Sequence, residues 1–98
     1  MTIQTNKEGE KLGVTLEGRL DTSTAPELDQ TLKVALPGVK ELEVDLKGLE
    51  YLSSAGLRVL LSAQKVMNKQ GEMVVRNVNE AVMEIFEITG FSDILTIL

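Results

Sequence analysis

Cysteine and histidine are both missing from this sequence. The first absence excludes disulfides, thiolate nucleophiles and cysteine-based metal centres, and it suits a reducing cytoplasm. The second removes the usual general base at neutral pH and the commonest transition-metal ligand. Aromatic residues are scarce, with only Tyr51, Phe86 and Phe91 present, so a core must be assembled from Leu, Val, Ile and Met. Positive charge is in deficit: 10 Lys and Arg face 15 Asp and Glu, for a net charge of −5. Such a balance argues against a nucleic-acid partner, whose phosphates must be neutralised by cations. No apolar run approaches the length of a membrane span, and the start, "MTIQTNKEGEK", has no apolar leader-like stretch. These absences together predict a soluble, cytoplasmic chain without membrane insertion.

What is there fits one small domain. The chain has 98 residues, 43% of them hydrophobic and 26% charged, enough for a single modest core. Ile3, then Leu12, Val14 and Leu16 at alternate positions around the polar turn Lys7–Glu10, predict a β-hairpin with one buried face. Ala25, Leu28, Leu32, Ala35 and Leu36 form one helical stripe. Thr24 with Glu27 fits a capping box at its start, and Pro37-Gly38 ends it. Leu42, Val44 and Leu46 alternate with Glu43, Asp45 and Lys47, as in a strand covered on one face. A helix from the serines to Gly71 carries Leu57, Leu60, Leu61 and Gln64 on one side, broadened by Val59, Ala63, Val66 and Met67. "EMVVRNV" reads as a strand, Asn79 as the cap of "EAVMEIFEIT", and Gly90 as that helix's stop. "DILTIL" suits either a last short strand or an apolar helical tail. The expected fold is α/β, a mixed sheet with helices packed over it, in the order β-β-α-β-α-β-α-β.

In such sheets partners meet the loops outside the carboxyl ends of the strands. Two loops qualify, "LDTST" and "EYLSSAG". Ser53 and Ser54 stand where a strand hands over to a helix, a position where a hydroxyl commonly caps the orphan backbone N–H groups. The same position also tolerates a negative charge, so a phosphate on either serine would not disturb the fold. It would add about −1.5 to −2 charges to a docking edge. Ala55 and Gly56 keep the first turn uncluttered for a partner's approach. Nucleophilic hydrolysis is rejected: "SSAG" has no glycine two residues ahead of either serine, and no histidine exists to act as base. Asp21, Asp29 and Asp45 are weak grounds for a cation site, and no metal is expected.

"EGRLDTSTAPEL", "VDLKGLEYLSSAGLRVLLSAQK" and "GEMVVRNVNEAVMEIFEITGF" resemble the STAS domain, in particular the small stand-alone bacterial anti-sigma factor antagonists. The resemblance runs in order from about Gly13 to Phe91, with "SSAGL" as its specific core, and implies a single STAS domain over 1–98. It implies a non-enzymatic switch without a cofactor. Such a protein binds an anti-sigma factor that is also a serine kinase, freeing the sigma factor; phosphorylation releases the antagonist and a phosphatase resets it. The acceptor serine of the family lies two residues before the Gly-Leu pair, which selects Ser54, ahead of Gly56 and Leu57. The family's acidic residue before the acceptor is here Ser53, which leaves Ser53 as the cap. The expected partner surface comprises Asp21, Thr22 and Ser23 of the first loop, with Ser53, Ala55, Gly56, Leu57 and Arg58 of the second. The rival within the family is a scaffold subunit on the ATPase of a lipid-transporting ABC complex, where no phosphorylation cycle is required. A nucleotide-binding enzyme finds no support, because "GVKELEVDLKG" lacks the spacing of a phosphate loop.

Overall fold

Alternation of apolar and polar residues at period two builds the centre of the molecule. In the computed structural model, which describes residues 1–98, Leu12, Val14 and Leu16 point to the same buried side as Leu42, Val44 and Leu46. They belong to β2 (Lys11–Leu20) and β3 (Glu41–Leu52), which pair in parallel with Leu12 beside Leu42 and Val14 beside Val44. Strand β1 (Thr2–Glu8) pairs antiparallel with β2, and β4 (Glu72–Arg76) pairs in parallel with β3. The predicted hairpin forms, but Lys7 and Glu8 pair with Leu12 and Lys11, so its turn narrows to Gly9 and Glu10. Strand β1 buries no residue, Ile3 being only partly covered. The sheet order is β1-β2-β3-β4.

Three helices cover one face: α1 (Ala25–Ala35), α2 (Ser54–Gln70) and α3 (Glu80–Thr89). Their apolar stripes and the strands' inward residues merge into one cluster of 24 buried apolar residues. Phe86, the one fully buried aromatic, joins it from α3. The residues between the buried strand positions, such as Thr15, Glu43, Asp45 and Val74, stay partly exposed, so the opposite face of the sheet is open. Lys11 and Arg76 flank Glu43 on that open face, at 3.7 and 3.1 Å. Helix α2 supplies the largest buried set among the helices, although Val66, expected to widen its apolar side, is 41% exposed.

Three further expectations need correction. Strand β3 continues through Leu52, so "EYL" is strand and the second loop shrinks to Ser53. The reason lies in the register: Thr15 and Glu17 of β2 face Asp45 and Gly48, and Gly18 and Arg19 face Leu49 and Tyr51. Strand β3 therefore holds an extra residue at each of two bulges, and its buried positions pass from spacing two (42, 44, 46) to spacing three (46, 49, 52). The last strand of the predicted order is reduced to a single bridge between Val75 and Ile97. Gly90 turns the chain into a one-turn 3-10 helix at Phe91–Asp93, and the remaining residues hydrogen-bond to β4 only at Val75. The capping box of α1 does not form; Thr24 makes no cap bond to the helix, because its hydroxyl is engaged in the preceding loop.

Candidate functional site

Parallel pairing brings the carboxyl ends of β2 and β3 together, Leu20 beside Leu52, and the Ser53 N–H donates to the Leu20 carbonyl at 2.9 Å. The two connections expected to share an edge do share it.

The first connection is organised by Asp21. Its Oδ1 accepts from the Ser23 N–H at 3.0 Å, the Ser23 hydroxyl at 2.7 Å and the Thr24 N–H at 3.2 Å. Its carbonyl accepts from the N–H groups of Thr24 and Ala25, so the turn entering α1 is closed by Asp21 and not by a Thr24–Glu27 box. The Thr24 hydroxyl accepts from the Asp21 N–H and donates to the Arg19 carbonyl at 2.8 Å. The Ser23 hydroxyl bond, with the backbone N–H groups of Ser23 and Thr24, holds the Asp21 carboxyl below its ordinary pKa against a smaller opposing effect of desolvation. Arg19 stacks over Tyr51 at 4.3 Å and stands 3.9 Å from Asp21 Oδ2, tying the ends of β2 and β3 together on the open side. This pair escaped sequence reasoning because it exists only through the second bulge.

The second connection is one residue long. Ser53 has extended backbone and its Oγ accepts from the Gly56 N–H at 3.4 Å, a long N-cap bond. Ser54 is the first helical residue, exposed, and its hydroxyl makes no hydrogen bond within the chain. No acidic residue lies in the first turn of α2. Of the two serines, Ser53 caps the helix and Ser54 makes no hydrogen bond within the chain.

The remaining predicted residues fall into two groups. Thr22, Ala55 and Arg58 line a groove of about 440 Å³ between the entrances of α1 and α2, with Asp29, Val59 and Ser62 deeper in. Gly56 and Leu57, expected on the partner surface, are buried instead. A Cβ at Gly56 would come within 2.6 Å of Leu20 Cγ and 2.7 Å of Leu52 Cδ1, so this glycine lets α2 sit directly on the strand ends. Both residues position the edge from below. Asp29 pairs with Lys33 at 3.0 Å, and Asp45 accepts from Asn77 on the open face; the structure gathers no three carboxylates into one cluster.

With this geometry in place, the comparison with known families is direct: residues 3–97 match the family described as Mlab, STAS domain, and the chain belongs to the STAS domain family. Among curated relatives it is 29% identical over 97 residues to the anti-sigma-B factor antagonist of Staphylococcus aureus, covering 97% of this chain and 90% of that one. It is 38% identical over 84 residues to BtrV of Bordetella bronchiseptica, a protein assigned to the anti-sigma factor antagonists, covering 84% of this chain and 72% of that one. Among solved structures it matches the anti-sigma factor antagonist SpoIIAA in its unphosphorylated form, with a TM-score of 0.79 at 16% identity, over 99% of this chain and 87% of that one. The same Bacillus protein in its phosphorylated form matches with a TM-score of 0.78, over 99% and 91%. These structural matches establish the fold. No helix of the molecule is long and apolar enough to cross a membrane.

Proposed function

We propose that this STAS domain is an anti-sigma factor antagonist, which binds an anti-sigma factor with serine kinase activity and is switched off by phosphorylation of Ser54. The observation that carries this reading is the difference between neighbouring hydroxyls: Ser53 is spent on the helix cap, whereas Ser54 is exposed and unbonded. A phosphate on Ser54 would sit at the positive end of α2 with no acid in the first turn, so the fold would tolerate it. It would change the charge of the edge by about −1.5 to −2. The names of the relatives support the antagonist role, and a relative of the same fold exists in a phosphorylated form. In this reading the domain performs no chemistry of its own. It acts in the cytoplasm as the substrate of its kinase and of a resetting phosphatase, without cofactor or metal. Asp21, Thr22, Ser23, Ser53, Ala55 and Arg58 would frame the surface the kinase reads, and Gly56 and Leu57 would hold it in place.

The test is a paired one. Wild-type chain and Ser54→Ala are incubated with ATP in lysate of the native host, and phosphoserine is mapped by mass spectrometry. Phosphate on Ser54 in the wild type, none in the folded variant, and loss of a small ATP-binding kinase from a Ser54→Asp bait support the proposal. Phosphate on Ser53, or an unfolded Ser54→Ala, overturns the assignment. Retention of the same transporter ATPase by wild-type and Ser54→Asp baits supports the scaffold reading instead.

A further inference from the structure

Charge is segregated between two helices. Helix α2 carries Arg58, Lys65 and Lys69 and no acidic residue; α3 carries Glu80, Glu84 and Glu87 and no basic one. All six side chains are exposed, and none belongs to an ion pair within the chain. The cations are not scattered. Arg58, Ser62, Lys65 and Lys69 follow steps of four, three and four, which puts them on one stripe of α2. Ser62 lines the groove between α1 and α2, so the stripe runs along its border. Beyond the entrance already described, the groove continues into a second cavity of about 530 Å³ with a largely apolar lining of Leu32, Leu36, Val59, Ala63 and Val66, beside the Asp29–Lys33 pair. On α3, Glu80, Glu84 and Glu87 share the exposed side with Ile88, which is 77% exposed, and the following segment adds Ile94, 47% exposed.

We propose that the groove between α1 and α2 receives the exposed face of α3 from a second copy of this chain. An amphipathic helix seats in such a groove by placing an apolar knob on its floor, here Ile88, with charged neighbours meeting opposite charges on the rim. The acidic side of α3 faces the basic stripe of α2 in this arrangement, so both sets of unpaired charges gain partners. The two faces are different surfaces of one molecule, which makes the contact head-to-tail.

Sedimentation equilibrium tests this with the intact chain and two variants, Lys65→Ala with Lys69→Ala, and Glu84→Ala with Ile88→Ala. All four sites are exposed or partly so and alanine favours helix, so circular dichroism should show both variants folded. The wild-type average mass should rise with concentration past twice the 10.7 kDa of one chain. Each variant alone should stay at one chain. Their equimolar mixture should recover association but stop at one-to-one pairs, because each partner brings a single intact face. A wild type that remains one chain up to millimolar concentration overturns the proposal. So does association that both variants keep, or a mixture that does not associate.

Discussion

The two edges of the parallel sheet are closed in opposite ways. At the amino edge, the connections bond to one another: the Glu10 carbonyl accepts from Lys40 and Glu41, the Lys40 carbonyl accepts from Glu72, and Gln70 Nε2 donates to the carbonyls of Leu36 and Val39 at 2.7 Å each. At the carboxyl edge, the Asp21 loop satisfies its donors within itself, and one backbone bond, Ser53 to Leu20, links the first two connections. The third bonds to strand β3 and to neither of them, Asn79 Nδ2 donating to the Leu49 carbonyl at 2.8 Å. Bonds between loops lock loops together, whereas bonds within a loop leave its outer surface free for another molecule. The contrast gives a physical reason for finding the exposed, unbonded serine where it is, at the edge where α/β sheets meet their partners.

The contrast breaks most visibly if the amino edge is pushed apart. A Cβ added at Gly71 would fall onto the Lys40 carbonyl oxygen and within 2.8 Å of Lys40 Cα, and neither is a flexible side-chain end. Gly71→Ala should therefore cost about 3 kcal/mol in urea unfolding, the upper end of the usual range for overpacking. A loss under about 1 kcal/mol would show that the edge yields easily. Gln70→Ala removes two hydrogen bonds to loop carbonyls and should cost about 1–2 kcal/mol, with the slope of the unfolding curve unchanged.

At the carboxyl edge, Asp21 sharpens the comparison through pH. Its folded pKa lies below the ordinary value, so its contribution to stability is fully present above the unfolded pKa and is lost as pH falls through the folded one. Stability of the wild type should fall faster than that of Asp21→Ala as the pH drops below about 4. Parallel curves would show that the Ser23 and Thr24 bonds do not distinguish the folded carboxylate.

How much of this was legible in the sequence depends on which residues set each feature. Leu42, Val44 and Leu46 announce their strand because the pleat alone sets their spacing. Leu49 and Leu52 do not, since the two bulges that carry them inward exist only relative to β2. Asn79 and Ser53 were readable as caps because their bonds reach three residues along the chain. Thr24 has the spacing of a cap but does not act as one, because Asp21, three residues earlier, takes over the turn and leaves the threonine hydroxyl to Arg19. The tail, apolar at either period, carried no signal separating a strand from a helical turn. At the site, the serines follow from the start of α2, but the groove beside them needs two helices and has no signature in either one.

The smallest expected effect is the most informative about the site. Ser53→Ala removes the side-chain cap of α2, and because that bond is long, 3.4 Å, the loss should be modest, about 0.5–1 kcal/mol. Ser54→Ala removes an exposed hydroxyl with no partner in the chain, so its unfolding free energy should stay within about 0.5 kcal/mol of wild type. The order of the two losses is what matters. A helix cap and a modification site impose opposite demands on a hydroxyl, since the first must be bonded to the backbone and the second must be open to a partner's active site. If Ser54→Ala proved the more destabilising, the cap would belong to Ser54 and the free hydroxyl to Ser53. The proposed acceptor would then move one residue, to Ser53.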